Sequence, residues 1–126
     1  MVIAAVVFLV AASTSAQTYT DAQAKALSES YTFEANGSYD NAIAALGAPG
    51  SDYFFNLRLG WLYYLNGNWK LALQHYTNAE KVELKSVEAK IGLMNTFYYM
   101  KDFPRVGEYA KSVKVLFEKL DVFSIN

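Results

Sequence analysis

One turn pattern, met three times, constrains this chain more than any other feature. It reads Ala35-Asn36-Gly37-Ser38-Tyr39-Asp40-Asn41-Ala42, then Leu65-Asn66-Gly67-Asn68-Trp69-Lys70-Leu71-Ala72, then Tyr99-Met100-Lys101-Asp102-Phe103-Pro104-Arg105-Val106. Each copy has a helix-breaking polar pair, an aromatic, and a small or branched apolar residue three places later. Gly37 and Gly67 can adopt the left-handed conformation that closes a helix. Ser38, Asn68 and Asp102 carry side-chain oxygens able to cap the next helix. Pro104 occupies a first-turn position, where proline is tolerated. The expectation is an all-α chain of successive helix–turn–helix units.

The segments after the turns keep helical spacing. Tyr39, Ala42, Ile43 and Leu46 share one face, as do Trp69, Ala72, Leu73, Tyr76 and Ala79. Phe103, Val106, Ala110, Val113 and Phe117 form the third stripe, and each stripe is expected to face the core. The segment before the second turn is different. From Tyr53 to Leu65 nearly every residue is apolar, which predicts a helix covered on most sides. It follows the Gly47-Ala48-Pro49-Gly50 break, with Ser51 or Asp52 as its cap, and the first helix is expected to begin at Thr20 with Gln23 completing a capping box.

The front of the chain reads as an export signal. Residues Met1 to Ala12 are almost purely apolar, and Ser13-Thr14-Ser15-Ala16 then Gln17 follow. A short apolar run ending in small residues is the pattern of a cleavable leader, with the cut expected after Ala16. The run is shorter than the roughly 20 apolar residues that span a bilayer, so no stable membrane span is expected once the leader, residues 1–16, is removed. No Lys or Arg precedes the run; either the start lies upstream or the amino terminus supplies the positive charge. A buried core helix or a membrane anchor is the alternative for this segment. The expected destination is the periplasm or the exterior, with residues 17–126 forming the repeat domain.

The central segment then shows a resemblance. Leu59, Gly60, Tyr63, Gly67, Trp69, Ala72, Tyr76 and Ala79 fall at the spacings of the tetratricopeptide repeat. The match covers Tyr53 to Ser86; the usual proline near the repeat's end is replaced by Leu84. The flanking copies are weaker. The first has Glu29-Ser30 where leucine-glycine belongs; the third places Gly92 two positions early and has Val106 at a usual alanine. The chain is also similar to small exported repeat proteins of the Bacteroidetes type, on the stretch Asn56 to Trp61 and the leader ending in Ala16-Gln17. The resemblance implies a short right-handed α-solenoid of about three antiparallel repeats, near 19–50, 53–86 and 87–120. It also implies a concave groove lined by Tyr31, Phe54, Leu57, Trp61, Tyr64, Asn95, Tyr98 and Tyr99. Tyrosine and tryptophan suit a binding surface, because they bury much area at little rotamer cost. Many of these same aromatics have packing between helices as their alternative role.

Chemistry is sparse. The chain has no cysteine, which excludes disulfides, thiolate metal sites and cysteine nucleophiles. The formal charge is −1, without the basic stripe that nucleic-acid binding requires. The lone His75 has no second histidine to share a metal and is expected on the surface. The carboxylates are scattered, and no glycine-rich phosphate loop occurs. Arg58 and Asn95 are isolated, so a carboxylate-tail ligand is not indicated. The expected function is therefore an exported scaffold or adaptor, with neither enzymatic activity nor a cofactor, that binds a protein or peptide through the aromatic groove. The alternatives are a self-associating structural module or part of a longer array, and a glycan or small-ligand binder. Val115, Leu116, Leu120, Val122 and Phe123 crowd the end of the last helix; either the natural chain continues past Asn126 or this end pairs with something.

Overall fold

The structure is a computed structural model that describes residues 18–124, and side-chain burial through residue 120. The expected leader lies outside the described residues. Among those residues the chain is all helix: α1 (Asp21–Ala35), α2 (Tyr39–Leu46), α3 (Tyr53–Leu65), α4 (Trp69–Val82), α5 (Val87–Tyr99) and α6 (Phe103–Ser124). The last helix runs past Leu120, where the sequence had suggested its end.

The three turns between paired helices are the same object. Ser38, Asn68 and Asp102 donate their backbone N–H to the carbonyls of Phe33, Tyr63 and Phe97 at 2.8, 2.9 and 2.9 Å. Gly37, Gly67 and Lys101 donate to Glu34, Tyr64 and Tyr98 at 2.9, 3.1 and 3.0 Å. This double closure is the Schellman motif, which satisfies the last carbonyls of a helix with one left-handed residue. Gly37 and Gly67 supply that residue at φ 73° and 76°. In the third turn Lys101 takes it at φ 62°, against the steric preference of an L side chain. Lys101→Gly is therefore expected to raise stability by up to about 1 kcal/mol, the relieved strain being partly offset by the glycine's freer unfolded state. A thermal melt of the variant that shows no rise contradicts this account of the turn.

Caps set the other helix ends. Thr20 and Gln23 form the expected capping box, at 3.1 and 2.9 Å. Asp52 caps α3 through the Phe55 N–H at 2.8 Å, and Ser86 caps α5 through the Ala89 N–H at 2.9 Å. Asn68 and Asp102 accept from Leu71 and Arg105 at 3.2 and 3.4 Å. Ser38 departs from expectation: its side chain makes no capping bond, and the backbone closure alone holds that turn.

A second recurrence ties the odd-numbered helices together. The Tyr19 hydroxyl donates to the Asp52 carboxylate at 3.2 Å, and the Tyr53 hydroxyl meets the Ser86 hydroxyl at 2.7 Å. Both bonds span 33 residues. Each runs from the start of one odd-numbered helix to the N-cap of the next.

Packing follows the chain order, with α3 also touching α5. One core cluster joins Ala42 and Leu46 of α2 to Phe55, Leu59 and Leu62 of α3. The other joins Leu57, Trp61 and Tyr64 of α3 to Ala72, Tyr76 and Ala79 of α4 and to Ala89 and Leu93 of α5. Helix α3 contributes to both clusters, which is why it is apolar on nearly every side. Tyr76 is the wedge of the second cluster. Its ring lies so close to Gly60 on α3 that a Cβ there would fall 2.8 Å from it, and a Cβ on Gly92 of α5 would overlap it. Gly92 therefore sits where the Tyr76 ring needs it, two places away from the motif position.

The register of α6 differs from the sequence reading. Val106, Tyr109, Ser112, Val113 and Leu116 are the partly covered residues, whereas Phe103, Ala110 and Phe117 face outward. Among the described residues only α5 packs substantially on α6, and it covers one side of the stripe and not the other.

Candidate interaction site

The structure separates the eight groove candidates into two groups. Leu57, Trp61, Tyr64 and Asn95 are buried, the first three inside the second core cluster. Tyr31, Tyr98 and Tyr99 are exposed, and Phe54 is half-buried. Burial removes the first group from direct contact and leaves them as supports.

Their support is visible in the rings. Trp61 and Tyr64 stack at 5.6 Å between centroids, and Tyr64 meets Tyr99 edge-on at 5.6 Å. Tyr99 lies flat on Trp69 at 5.2 Å and edge-on to Tyr98 at 5.6 Å. Tyr98 in turn meets Phe103 at 6.0 Å. The array crosses from the end of α3 to the start of α6, because the second and third turns bring four helix ends to one edge. Such tilted and offset ring pairs are each worth about 0.5–1.5 kcal/mol beyond their burial. Burial and the neighbouring Tyr99 hydroxyl push the Tyr64 phenol up to about 12, so it stays neutral at any physiological pH. Tyr98 and Tyr99 keep 46% and 43% of their surface open, presented on a fixed base.

The junction between the first two hairpins is built on charge. Arg58 of α3 has no exposed side-chain surface, and its guanidinium meets the Glu34 carboxylate of α1 at 2.7 Å. The same guanidinium lies 4.0 Å above the Tyr31 ring. An arginine between a carboxylate and an aromatic face gains from both. Isolated in the sequence, Arg58 is one of the ties between the first two hairpins, beside the Tyr19–Asp52 bond.

His75 also differs from expectation. It is half-buried, stacked on Tyr63 at 5.4 Å and 6°, with Nδ1 3.1 Å from the Asn56 oxygen. Burial lowers its pKa, which favours the neutral ring. Asn56 is held in turn by the carbonyls of Gly50 and Asp52 at 3.1 and 2.8 Å, so this trio braces the entry to α3.

A cleft of about 230 Å³ between α4, α5 and α6 is lined by Glu80, Lys90, Phe97, Arg105, Glu108, Tyr109 and Ser112. Three of its four charges, Glu80, Lys90 and Arg105, are already engaged. Lys90 binds Glu80 at 2.7 Å and the Leu84 carbonyl at 2.8 Å, and Arg105 binds Asp102 at 2.7 Å. Among the described residues no group of three or more His, Asp or Glu converges to hold a metal, and no helix is long and apolar enough to cross a membrane.

Comparison with protein-family models, with curated proteins and with solved structures found no match for this chain. The reading of function therefore rests on the geometry above.

Proposed function

We propose that this chain is an exported, tetratricopeptide-like interaction module whose repeats stack as a short right-handed solenoid. In this reading it captures a peptide or a partner helix along the face formed by α1, α3 and α5, without cofactor or catalysis. The observation that carries it is the recurrence of one turn at three places together with one tyrosine tether at two. The same two backbone bonds close each hairpin, and a tyrosine hydroxyl links the start of each of the first two odd-numbered helices to the cap of the next. Stacked units of this kind present an extended shared face suited to another chain. The contact residues are the accessible ones: Tyr31, Phe54, Tyr98 and Tyr99. Leu57, Trp61, Tyr64 and Asn95 hold them in place.

Exposed tyrosines on a rigid base are the side chains that dominate protein interfaces, each costing upward of about 1–2 kcal/mol when truncated. Panning a displayed random-peptide library on the full chain is expected to select binders. Their affinity should fall about tenfold or more in Tyr98→Ala/Tyr99→Ala, a loss of roughly 1.4 kcal/mol or greater. Both residues are exposed, so circular dichroism of the double variant should match the parent. Selected peptides that bind the folded double variant as tightly as the parent would overturn the assignment.

A further inference from the structure

Helix α6 carries a heptad. Phe103, Ala110 and Phe117 recur at one seam position, and Val106, Val113 and Leu120 at the other. This 3.5-residue period is the one by which two helices pack knobs into holes. Among the described residues only α5 packs substantially on α6. Phe103, Phe117 and Leu120 keep 57%, 49% and 58% of their surface open.

The shared turns show which face this is. Counting from Gly67 and Lys101, the residues Trp69, Ala72, Tyr76 and Ala79 of α4 correspond to Phe103, Val106, Ala110 and Val113 of α6. On α4 that stripe belongs to the core shared with α5. On α6 the matching stripe is open at Phe103 and Ala110 and partly covered at Val106 and Val113. The front of the molecule does not complement it. Ala89, Gly92, Leu93 and Thr96 of α5 correspond to Lys25, Ser28, Glu29 and Thr32 of α1, all exposed. Lys25 pairs with Glu29 at 3.5 Å, and the Thr32 hydroxyl donates to the Ser28 carbonyl at 3.1 Å. A polar, self-paired face there disfavours head-to-tail stacking of copies.

The geometry points to a second copy of this chain as the occupant, with two α6 helices packed antiparallel about a two-fold axis. The seam is complementary to its own reverse. With the axis between Ala110 and Val113, Phe103 meets Leu120 of the partner subunit, Val106 meets the partner's Phe117, and Ala110 meets the partner's Val113. The six layers use each seam residue once, with the smallest contacts at the centre and the bulkiest toward the ends. Gly107 fits the same arrangement. It sits inside a helix, where glycine costs roughly 0.5–1 kcal/mol relative to alanine, and, its own helix backbone and chain neighbours aside, no described atom comes within 4 Å of where its Cβ would be. In the antiparallel pair it lies opposite the partner's Lys114 and leaves room for that stem. The remaining charged residues, Arg105, Glu108, Lys111, Glu118 and Lys119, fall outside the seam. A single helix pair buries less than the roughly 1,200–2,000 Å² of a stable standard interface, so the pair forms with rising concentration.

Sedimentation of the full chain across a wide concentration range tests this, beside Phe117→Glu, which replaces an exposed residue and should fold like the parent. The expected result is a monomer-to-dimer shift in the parent that is lost in the variant. A parent that stays monomeric throughout, or association that survives in the variant, overturns the proposal. The chain has no cysteine, so orientation can be read by disulfide trapping. Phe103→Cys mixed with Leu120→Cys should cross-link. Phe103→Cys alone should not, because its two copies would lie roughly 26 Å apart along the axis at 1.5 Å per residue. Self-cross-linking of Phe103→Cys would mean parallel helices and would also overturn it.

Discussion

Tyr76→Ala should remove about 3–5 kcal/mol of stability, the usual cost of emptying a buried aromatic site. The ring is fully enclosed, and it touches helices on both sides of its own. The cavity would open between α3, α4 and α5 at once, and against a typical total of about 5–15 kcal/mol a large share of the stability would be lost. The same contact can be attacked from the other side. Gly92→Ala gains roughly 0.5–1 kcal/mol of helix propensity but drives a methyl into the ring, an overpacking that costs about 1–3 kcal/mol. The net is a destabilisation despite a substitution that favours helices. Urea unfolding measures both. A neutral Gly92→Ala would show that Tyr76 can move aside and that the wedge is not fixed.

Glu34→Ala is expected to cost about 3 kcal/mol, near the lower end for breaking a buried ion pair. The asymmetry of the pair sets this value. Arg58 is fully buried, while Glu34 keeps a quarter of its side chain in solvent, so nearly all the desolvation falls on the guanidinium once its carboxylate is gone. Arg58→Met with Glu34→Leu should lie much closer to the parent, since apolar replacement of both partners is often neutral or better. A double-mutant cycle checks it. If Glu34→Ala costs under about 1 kcal/mol, as an exposed pair would, then Arg58 is held by Tyr31 and its surroundings rather than by Glu34.

The parts legible in the sequence were those governed by local rules. Gly37 and Gly67 end helices because their backbone must turn left-handed. Thr20 and Gln23 cap because they lie three residues apart, and α3 is buried on most sides because its composition is apolar nearly all round. What escaped were consequences of distant residues meeting. Arg58 looked isolated because Glu34 and Tyr31 lie on another hairpin, and His75 looked exposed because Asn56 and Tyr63 approach it only after folding. Gly92 looked like a misplaced motif glycine because its reason, the Tyr76 ring, sits on the neighbouring helix. The stripe on α6 was read at the right period, but period alone does not say which edge of an apolar stripe the fold covers. In the groove, aromatic content marked the region without separating Trp61 and Tyr64, which support, from Tyr98 and Tyr99, which are presented.

The uneven linkage between hairpins has a further consequence for how the molecule comes apart. The second and third hairpins are keyed by a large ring seated against two glycines. The first is joined to the second by lighter packing of α2 on α3, by Arg58 against Glu34 and Tyr31, by the Tyr19 tether and by a hydrogen bond from Asn66 to Asp40. Junctions of unequal size open with unequal free energies. The first hairpin is therefore expected to part from the second more readily than the second parts from the third, and faster amide exchange in α1 and α2 than in α3 to α5 would show it. That order would leave the exposed tyrosines on the pair of hairpins that separates last.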